Sequence, residues 1–510
     1  MFRHPQLESV KAWIAHPAHA AMPLHARIQR AIRQLIVDGA LGPGKPLPAS
    51  RVLAKSLGVS RDTVEAAYAQ LHAEGFIDRR VGSGSFVAEM TAFTPGRRPS
   101  GRDALARNQG PNLSRRGAAM FRNGGVREML TPRPFAPGTP ETRAFPLQLW
   151  ERLERQVLKE ASVQALAHGD PQGTEPLRRA IADYVNLERG GRATADRVLV
   201  LTSSQQALSL CANMLLDSGD RIFIEDPAYY GARKAFDAAG LECLPVRVDR
   251  QGITVGQIMA ETRKVGAVFL TPSHQFPTGA TLSLDRRLAL IEWAARHQAW
   301  IIEDDYDSEF HYAGKPTACV QGLDAHDRTI YIGTFTKSLY PGLRIGYVVL
   351  PPQLVKPMTV ARTLLDGHSA PMAQLTLARF MEGGHFGAHV RAMRGVYAER
   401  RDVLADLVGR HLADFVEPRV PAGGLQMPCL LTGGLPEQAA IDAARRVGVE
   451  LLGLSALHAS GDAKAGFLMG FAAYTPAEME AAIKKLAGAF EAAAKLQARQ
   501  SSRNWSGQGQ

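Results

Sequence analysis

The sequence predicts a multidomain chain: a small, mainly α-helical unit ending in a hairpin, then a large α/β domain with a smaller α+β lobe. Three observations carry this. Over residues 23–89 apolar residues recur at helical spacing, and two helix-like stretches meet at a glycine. From about Phe135 onward, short and almost continuously apolar runs alternate with helical stretches, the pattern of a mostly parallel sheet covered on both faces. Between these regions, residues 90–131 are rich in Pro, Gly and Arg with little periodicity, as in a tether. The expected domains are therefore 20–89, a linker 90–131, the large domain 132–498, and a polar, disordered tail 499–510.

At 510 residues the chain can hold more than one domain and a large buried core. A hydrophobic fraction of 45% and a charged fraction of 21% suit a globular protein and exclude a disordered or fibrous one. No window approaches the roughly 18 apolar residues of a membrane span. The N-terminal stretch has no apolar segment of signal-peptide type, so a cytoplasmic protein without membrane partners is expected. Cys211, Cys243, Cys319 and Cys429 lie far apart, without metal or redox spacing, and are expected to be free thiols; no metal site is predicted. The net charge of +11 is uneven: residues 1–90 carry +4, residues 91–131 carry +6 and the rest +1, so the positive excess would meet a polyanion in the first quarter.

In the first unit, "LHARIQRAIRQLIVDG" places Leu24, Ile28, Ile32, Leu35 and Ile36 on one helical face, stopped by Gly39. "SRVLAKSLGVSRDTVEAAYAQLHAEGF" follows with a helix ending at Gly58 and a second helix capped by Ser60, with Val64, Tyr68 and Leu71 facing inward. Two helices joined by a tight glycine turn form a helix-turn-helix, whose second helix enters a DNA major groove. "FIDRRVGSGSFVAE" reads as two short strands around Gly82-Ser83-Gly84, a wing.

In the large domain, "RVLVL", "DRIFIED", "AVFLTP", "AWIIEDDYD", "TIYIGTF" and "RIGYVVL" read as strands, with helices such as "QQALSLCANMLLDSG" and "LDRRLALIEWAARHQ" between them. The chemistry gathers at their carboxyl ends, where open α/β sheets bind ligands. "GTFTKSLYPGLRIGY" sets Lys337 among hydroxyls directly after a strand, as Schiff-base chemistry with an aldehyde requires. Thr334, Thr336 and Arg344 are suited to an anionic phosphate. "IIEDDYDSEF" puts Asp304 where a carboxylate pairs with a protonated pyridine nitrogen, and Tyr306 within reach of a ring hydroxyl. In "LTSSQQAL", Ser204 and Gln205 offer polar groups and backbone N–H at a helix N-terminus. Tyr229 of "EDPAYYGARKAF" offers a flat surface for an aromatic ring, and "TPSHQFPTG" forms another strand-end turn. Amine, acid, phosphate donors and aromatic plate together match the parts of pyridoxal 5′-phosphate (PLP).

On these motifs residues 135–486 resemble a fold-type-I PLP enzyme of the aspartate aminotransferase superfamily. Residues 23–89, through "PGKPLPASRVLAKSLGVSRDTVEAAYAQLHAEGFIDRRVGSGSFV", resemble the winged helix of GntR-type regulators. Both in one chain, in this order, mark a resemblance to the MocR/GabR family of PLP-dependent transcriptional regulators. The resemblance implies Lys337 as the Schiff-base lysine, Asp304 on the ring nitrogen, Tyr306 on the ring hydroxyl and Tyr229 stacked on the ring. Ser204, Gln205, Thr334, Thr336 and Arg344 would grip the phosphate. It further implies DNA contacts from Arg51, Ser60, Arg61 and Thr63, with Arg80 and Ser83 on the wing.

Two departures stand against the aminotransferase pattern. The Asn of its Asn-Pro-x-Gly turn is replaced by Phe276, leaving His274 or Gln275 as substitutes, and the substrate-carboxylate arginine near the C-terminus is replaced by Leu468 in "GFLMGFAAY". Arg143 or a partner-subunit arginine is the alternative clamp. The expectation is a homodimeric regulator of double-stranded promoter DNA that senses PLP or an amine or amino-acid-like effector. The competing expectation is an active aminotransferase with an appended DNA-binding domain.

Overall fold

The computed structural model describes residues 4–80, 83–89, 112–126, 131–313, 317–459 and 464–506, with side chains described from 6 to 498. The chain divides into two compact units, Met1–Asn112 and Leu113–Gln510. Val81, Gly82, most of the predicted linker and the last four residues lie outside the described part.

The first unit contains α1 (His4–Ala15), α2 (Leu24–Val37), α3 (Ser50–Leu57), α4 (Arg61–Ala73) and the antiparallel strands β1 (Ile77–Arg80) and β2 (Gly84–Val87). The predicted helical face is buried at Ile28, Ile32 and Ile36, while Leu24, at the first turn, is exposed. Val64, Tyr68 and Leu71 complete the core from α4, as their spacing requires. Gly58 ends α3 at φ 66°, a conformation that penalises any residue with a Cβ. Ser60 caps α4, its Oγ accepting from Thr63 N–H at 3.2 Å. Helix α1, which the reading from residue 20 left out, belongs to this unit, with Val10 in its core.

The second unit holds an eight-stranded sheet in the order β3-β10-β9-β8-β7-β4-β5-β6. Its members are β3 (Val198–Leu201), β4 (Arg221–Asp226), β5 (Glu242–Asp249), β6 (Gly252–Ile253), β7 (Ala267–Leu270), β8 (Trp300–Asp305), β9 (Thr329–Thr334) and β10 (Gly346–Val349). All six predicted strands are present. Strands β4, β5, β7, β8 and β9 pair in parallel, while β10 is antiparallel to both β9 and β3. It follows that β3 runs in the direction of β9, so β3, β4, β7, β8 and β9 all end on one edge. Both sheet faces are covered. Ile330 and Ile332 of β9 pack with Leu208 and Cys211 of helix Ser204–Leu215, while Tyr331 points to the other face with Phe335 and Tyr347. Cys211, Cys319 and Cys429 are buried, Cys243 is half-buried, and all four are free.

The smaller lobe is an antiparallel sheet ordered β11 (Val416–Pro418), β12 (Gln426–Leu431), β14 (Gly466–Gly470), β13 (Leu452–Gly453), backed by helices His385–His411, Glu437–Arg446 and Pro476–Ser506. Two expectations are corrected here. The expected linker contains a helix, Arg115–Asn123, capped by Ser114 Oγ and ended by Gly124 at φ 74°. The expected disordered tail continues the last helix to Ser506, because "KLQARQSSRNWS" has no Gly or Pro to break it.

Candidate functional site

In the second unit the chemistry gathers on the common edge where β3, β4, β7, β8 and β9 end. Lys337 lies in the turn after β9, held between Phe335 and Leu339, each 1% exposed. Its Nζ donates to the carbonyl of Gly138 at 2.7 Å. Gly138 has φ 68°, and a Cβ there would stand 3.0 Å from Nζ, so only glycine leaves this space open. The sequence reading missed Gly138. Its signal was the "APGTP" turn, without any clue to what the turn approaches.

Asp304, next to last in β8, is buried. Burial, then the like charges of Asp305 and Asp307, push its carboxyl up to about 7 against the pull of the Lys337 ammonium. Its Oδ1 has no hydrogen-bond partner among the described residues. Asp305 points to the opposite face, as strand alternation demands. There it accepts from Arg189 Nε at 2.8 Å and Tyr331 OH at 2.6 Å, which hold it below the usual carboxylate range despite burial. Of two adjacent aspartates, only Asp304 is left unneutralised on the lysine side.

Tyr229 is the N-cap residue of helix Tyr230–Ala239, after β4. A Cβ at Gly231 would come within 2.5 Å of the Tyr229 ring, so that glycine admits the ring to its position. Tyr306 follows β8, with its phenol raised well above the usual value chiefly by burial. Thr334 and Thr336 are buried and bonded to each other, Oγ1 to Oγ1 at 3.0 Å, with Thr336 N–H donating to Thr334 Oγ1 at 3.2 Å. Ser204 and Gln205 open helix Ser204–Leu215, whose first-turn N–H groups have no carbonyl partner within the helix. Gln205 Nε2 donates to Gly231 O at 3.0 Å, and its Oε1 is buried without a partner among the described residues. Ser203, not singled out from the sequence, supplies the cap, its Oγ accepting from Gln206 N–H at 3.2 Å. Arg344 is exposed at φ 54° and bonds neither threonine among the described residues.

The two departures also have definite places. Gln275 donates to Pro227 O at 2.7 Å and Phe276 O at 2.6 Å while accepting from Thr278, so its amide is committed to the turn. His274 Nδ1 pairs with Asp307 Oδ1 at 2.9 Å. The Gln275 amide is thus not free to take the missing asparagine's part, and His274 has its Nδ1 engaged. Leu468 is fully buried in β14. Arg143 does not replace the clamp: it is tied to Glu141 and Glu478, both contacts at 2.8 Å.

In the first unit, Arg51 is exposed in the first turn of α3, Ser60 and Arg61 are exposed at the start of α4, and Thr63 is half-exposed. The Ser60 and Thr63 hydroxyls are 2.7 Å apart, so both serve the cap. Among the described residues Arg61 has a loose 3.9 Å ion contact with Glu65. On the hairpin, Arg80 lies over the Phe86 ring at 4.9 Å, and Ser83 N–H donates to Arg80 O at 3.0 Å.

Residues 24–87 match the model of the bacterial regulatory proteins of the gntR family, and residues 141–486 match that of aminotransferase class I and II. The probable rhizopine catabolism regulatory protein MocR of Rhizobium meliloti is 36% identical over 472 residues, covering 92% of this chain and 94% of that protein. The chain belongs to the MocR/GabR family. A second member, the pyridoxine biosynthesis transcriptional regulator PdxR of Corynebacterium glutamicum, is 31% identical over 78% of this chain and 81% of its own length. Among solved structures, Pyrococcus horikoshii kynurenine aminotransferase aligns with a TM-score of 0.66 at 26% identity, over 78% of this chain and 97% of that one. As in its family, a GntR-type regulatory domain precedes an aminotransferase-type domain whose cofactor is PLP. The residues present fit that group. A buried carboxylate with an oxygen unpartnered among the described residues, a lysine beside a glycine-cleared space and paired threonine hydroxyls are groups it requires.

Asp304 should also be visible in the stability of PLP-free protein. Its folded carboxyl keeps its proton up to about pH 7, while the unfolded one ionises near pH 4. Its contribution therefore falls as pH rises from about 4 to 7, and stays low above that. Asp304→Asn is expected to stabilise PLP-free protein by on the order of 1–3 kcal/mol at pH 8, with no gain below pH 4. Urea unfolding at the two pH values checks this.

Proposed function

We propose that this regulator binds duplex promoter DNA as a cytoplasmic homodimer and that an amine effector, or PLP itself, alters its DNA affinity. Lys337 would hold PLP covalently, its amine condensing with the PLP aldehyde and releasing water, and PLP so held would supply a carbon at which primary amines exchange reversibly with the lysine. Asp304 holds the pyridine nitrogen protonated, Tyr306 donates to the ring hydroxyl, and Tyr229 covers the ring. Ser204, Gln205, Thr334, Thr336 and Arg344 bind the phosphate. Arg51, Ser60, Arg61 and Thr63 face the DNA from the helix-turn-helix, with Arg80 and Ser83 reaching it from the wing. No helix among the described residues is long and apolar enough to cross a membrane.

One observation carries the regulator over the enzyme: the place of the substrate-carboxylate arginine is held by the fully buried Leu468, and Arg143 is spent on two glutamates. An α-amino acid would enter without its charge-assisted anchor, worth about 1.5–3 kcal/mol. Its affinity would fall roughly ten- to a hundredfold. Incubation with alanine or glutamate and an oxoacid acceptor should show no sustained turnover. Steady production of the new amino acid at tens per second would establish an enzyme instead.

A further inference from the structure

Phe276 and Leu468, the two departures from the aminotransferase pattern, are far apart in sequence and adjacent in the fold. They share one apolar cluster with Leu454 and Leu457, and the half-buried Tyr229 and Tyr306 pack against it. Phe276 meets both rings edge-on, at 5.6 Å from Tyr229 and 6.3 Å from Tyr306 between centroids. Its backbone is fixed by Thr271 Oγ1, which accepts from its N–H at 3.0 Å, and by Gln275, which donates to its carbonyl.

Two paired strands of the small lobe link the cluster to the lysine. A Cβ at Gly138 would lie 3.0 Å from Lys337 Nζ and 3.8 Å from Gln426 Oε1. Gln426 of β12 pairs with Gly470 of β14, and Leu468 is two residues before Gly470, on the same side of the strand. The nearby guanidinium of Arg233 is turned to the carbonyls of Leu457 and His458, at 2.8 and 3.3 Å. The side chains of Phe276 and the buried Leu468 offer a carboxylate no partner for the water it would lose, whereas an apolar group would gain burial.

We propose that the effector is a primary amine bearing an apolar, preferably aromatic, substituent and no α-carboxylate, selected by the rings of Phe276, Tyr229 and Tyr306, with the buried Leu468 behind them. This rests on the assignment of Lys337 as the PLP lysine.

The test titrates the PLP-loaded protein with 2-phenylethylamine, ethylamine and L-phenylalanine, reading visible absorbance and the thermal midpoint. Half-saturation by 2-phenylethylamine is expected at a concentration at least about tenfold below that of either competitor. Phe276→Asn should shrink the preference over ethylamine below about threefold, while Phe276→Leu retains most of it. Leu468→Arg should shrink the preference over L-phenylalanine, and if that variant does not fold, Phe276→Asn decides alone. Equal or tighter binding of ethylamine or L-phenylalanine, no response to any of the three, or a preference unchanged in Phe276→Asn would overturn the proposal. Absence of a visible band in the unliganded wild type would instead count against the PLP assignment.

Discussion

Lys337→Ala is expected to abolish the visible absorbance of the purified protein. Lys337 is the amine on the edge where Asp304, Thr334 and Thr336 converge, and its ammonium is the counter-charge that moderates the rise of Asp304. Removing it deletes the only bond that a lysine-bound aldehyde has to the chain, so the loss should be complete rather than partial. The fold should survive, because Lys337 is half-buried and the turn is pinned by Phe335 and Leu339 on either side. Borohydride reduction of the wild type followed by peptide mapping should find the pyridoxyl label on Lys337. A label on another lysine would refute the assignment.

Arg61→Ala is expected to weaken specific promoter binding by about 1–3 kcal/mol, roughly 5- to 150-fold, while leaving the visible band intact. Arg61 is the first residue of α4, exposed, and among the described residues its ion pair is a 3.9 Å contact to Glu65. Such surface pairs contribute little to stability, so the substitution tests recognition rather than folding. The cap that shapes this end of α4 is made by Ser60 and Thr63, which the substitution leaves in place. A gel-shift titration with unchanged affinity would show that another element reads the DNA.

The strands were legible because each is short, apolar on both faces and rich in branched residues, as "TIYIGT" is throughout its length. Strand β5 was not, since "ECLPVRVD" mixes Pro, Arg and acids in a strand only partly buried. The candidate site residues of the large domain stand within a few positions of strand ends, which the sequence pattern marks, and the topology brings those ends to one edge. Gly138 was not legible, because its approach to Lys337 spans almost two hundred residues and glycine carries no chemistry of its own. Nor does sequence order hint that Phe276 and Leu468 meet, since one lies on the large sheet's edge and the other in the small lobe. The helix at Arg115–Asn123 was hidden by its arginines and glycine, and its Ser and Gly caps become signals only once the helix is known.

The most direct test of the account is the coupling between its two halves. Promoter DNA flanking the protein's own gene is titrated, at one fixed salt concentration, with wild-type protein carrying PLP, with the same protein carrying PLP and saturated with an amine it binds, and with PLP-free protein. An allosteric coupling of typical size, 1–3 kcal/mol, predicts that at least two of these states differ in DNA affinity by about fivefold or more, and that Lys337→Ala abolishes the difference. Equal affinities in all three states would contradict the claim that this aminotransferase-type domain controls the winged helix.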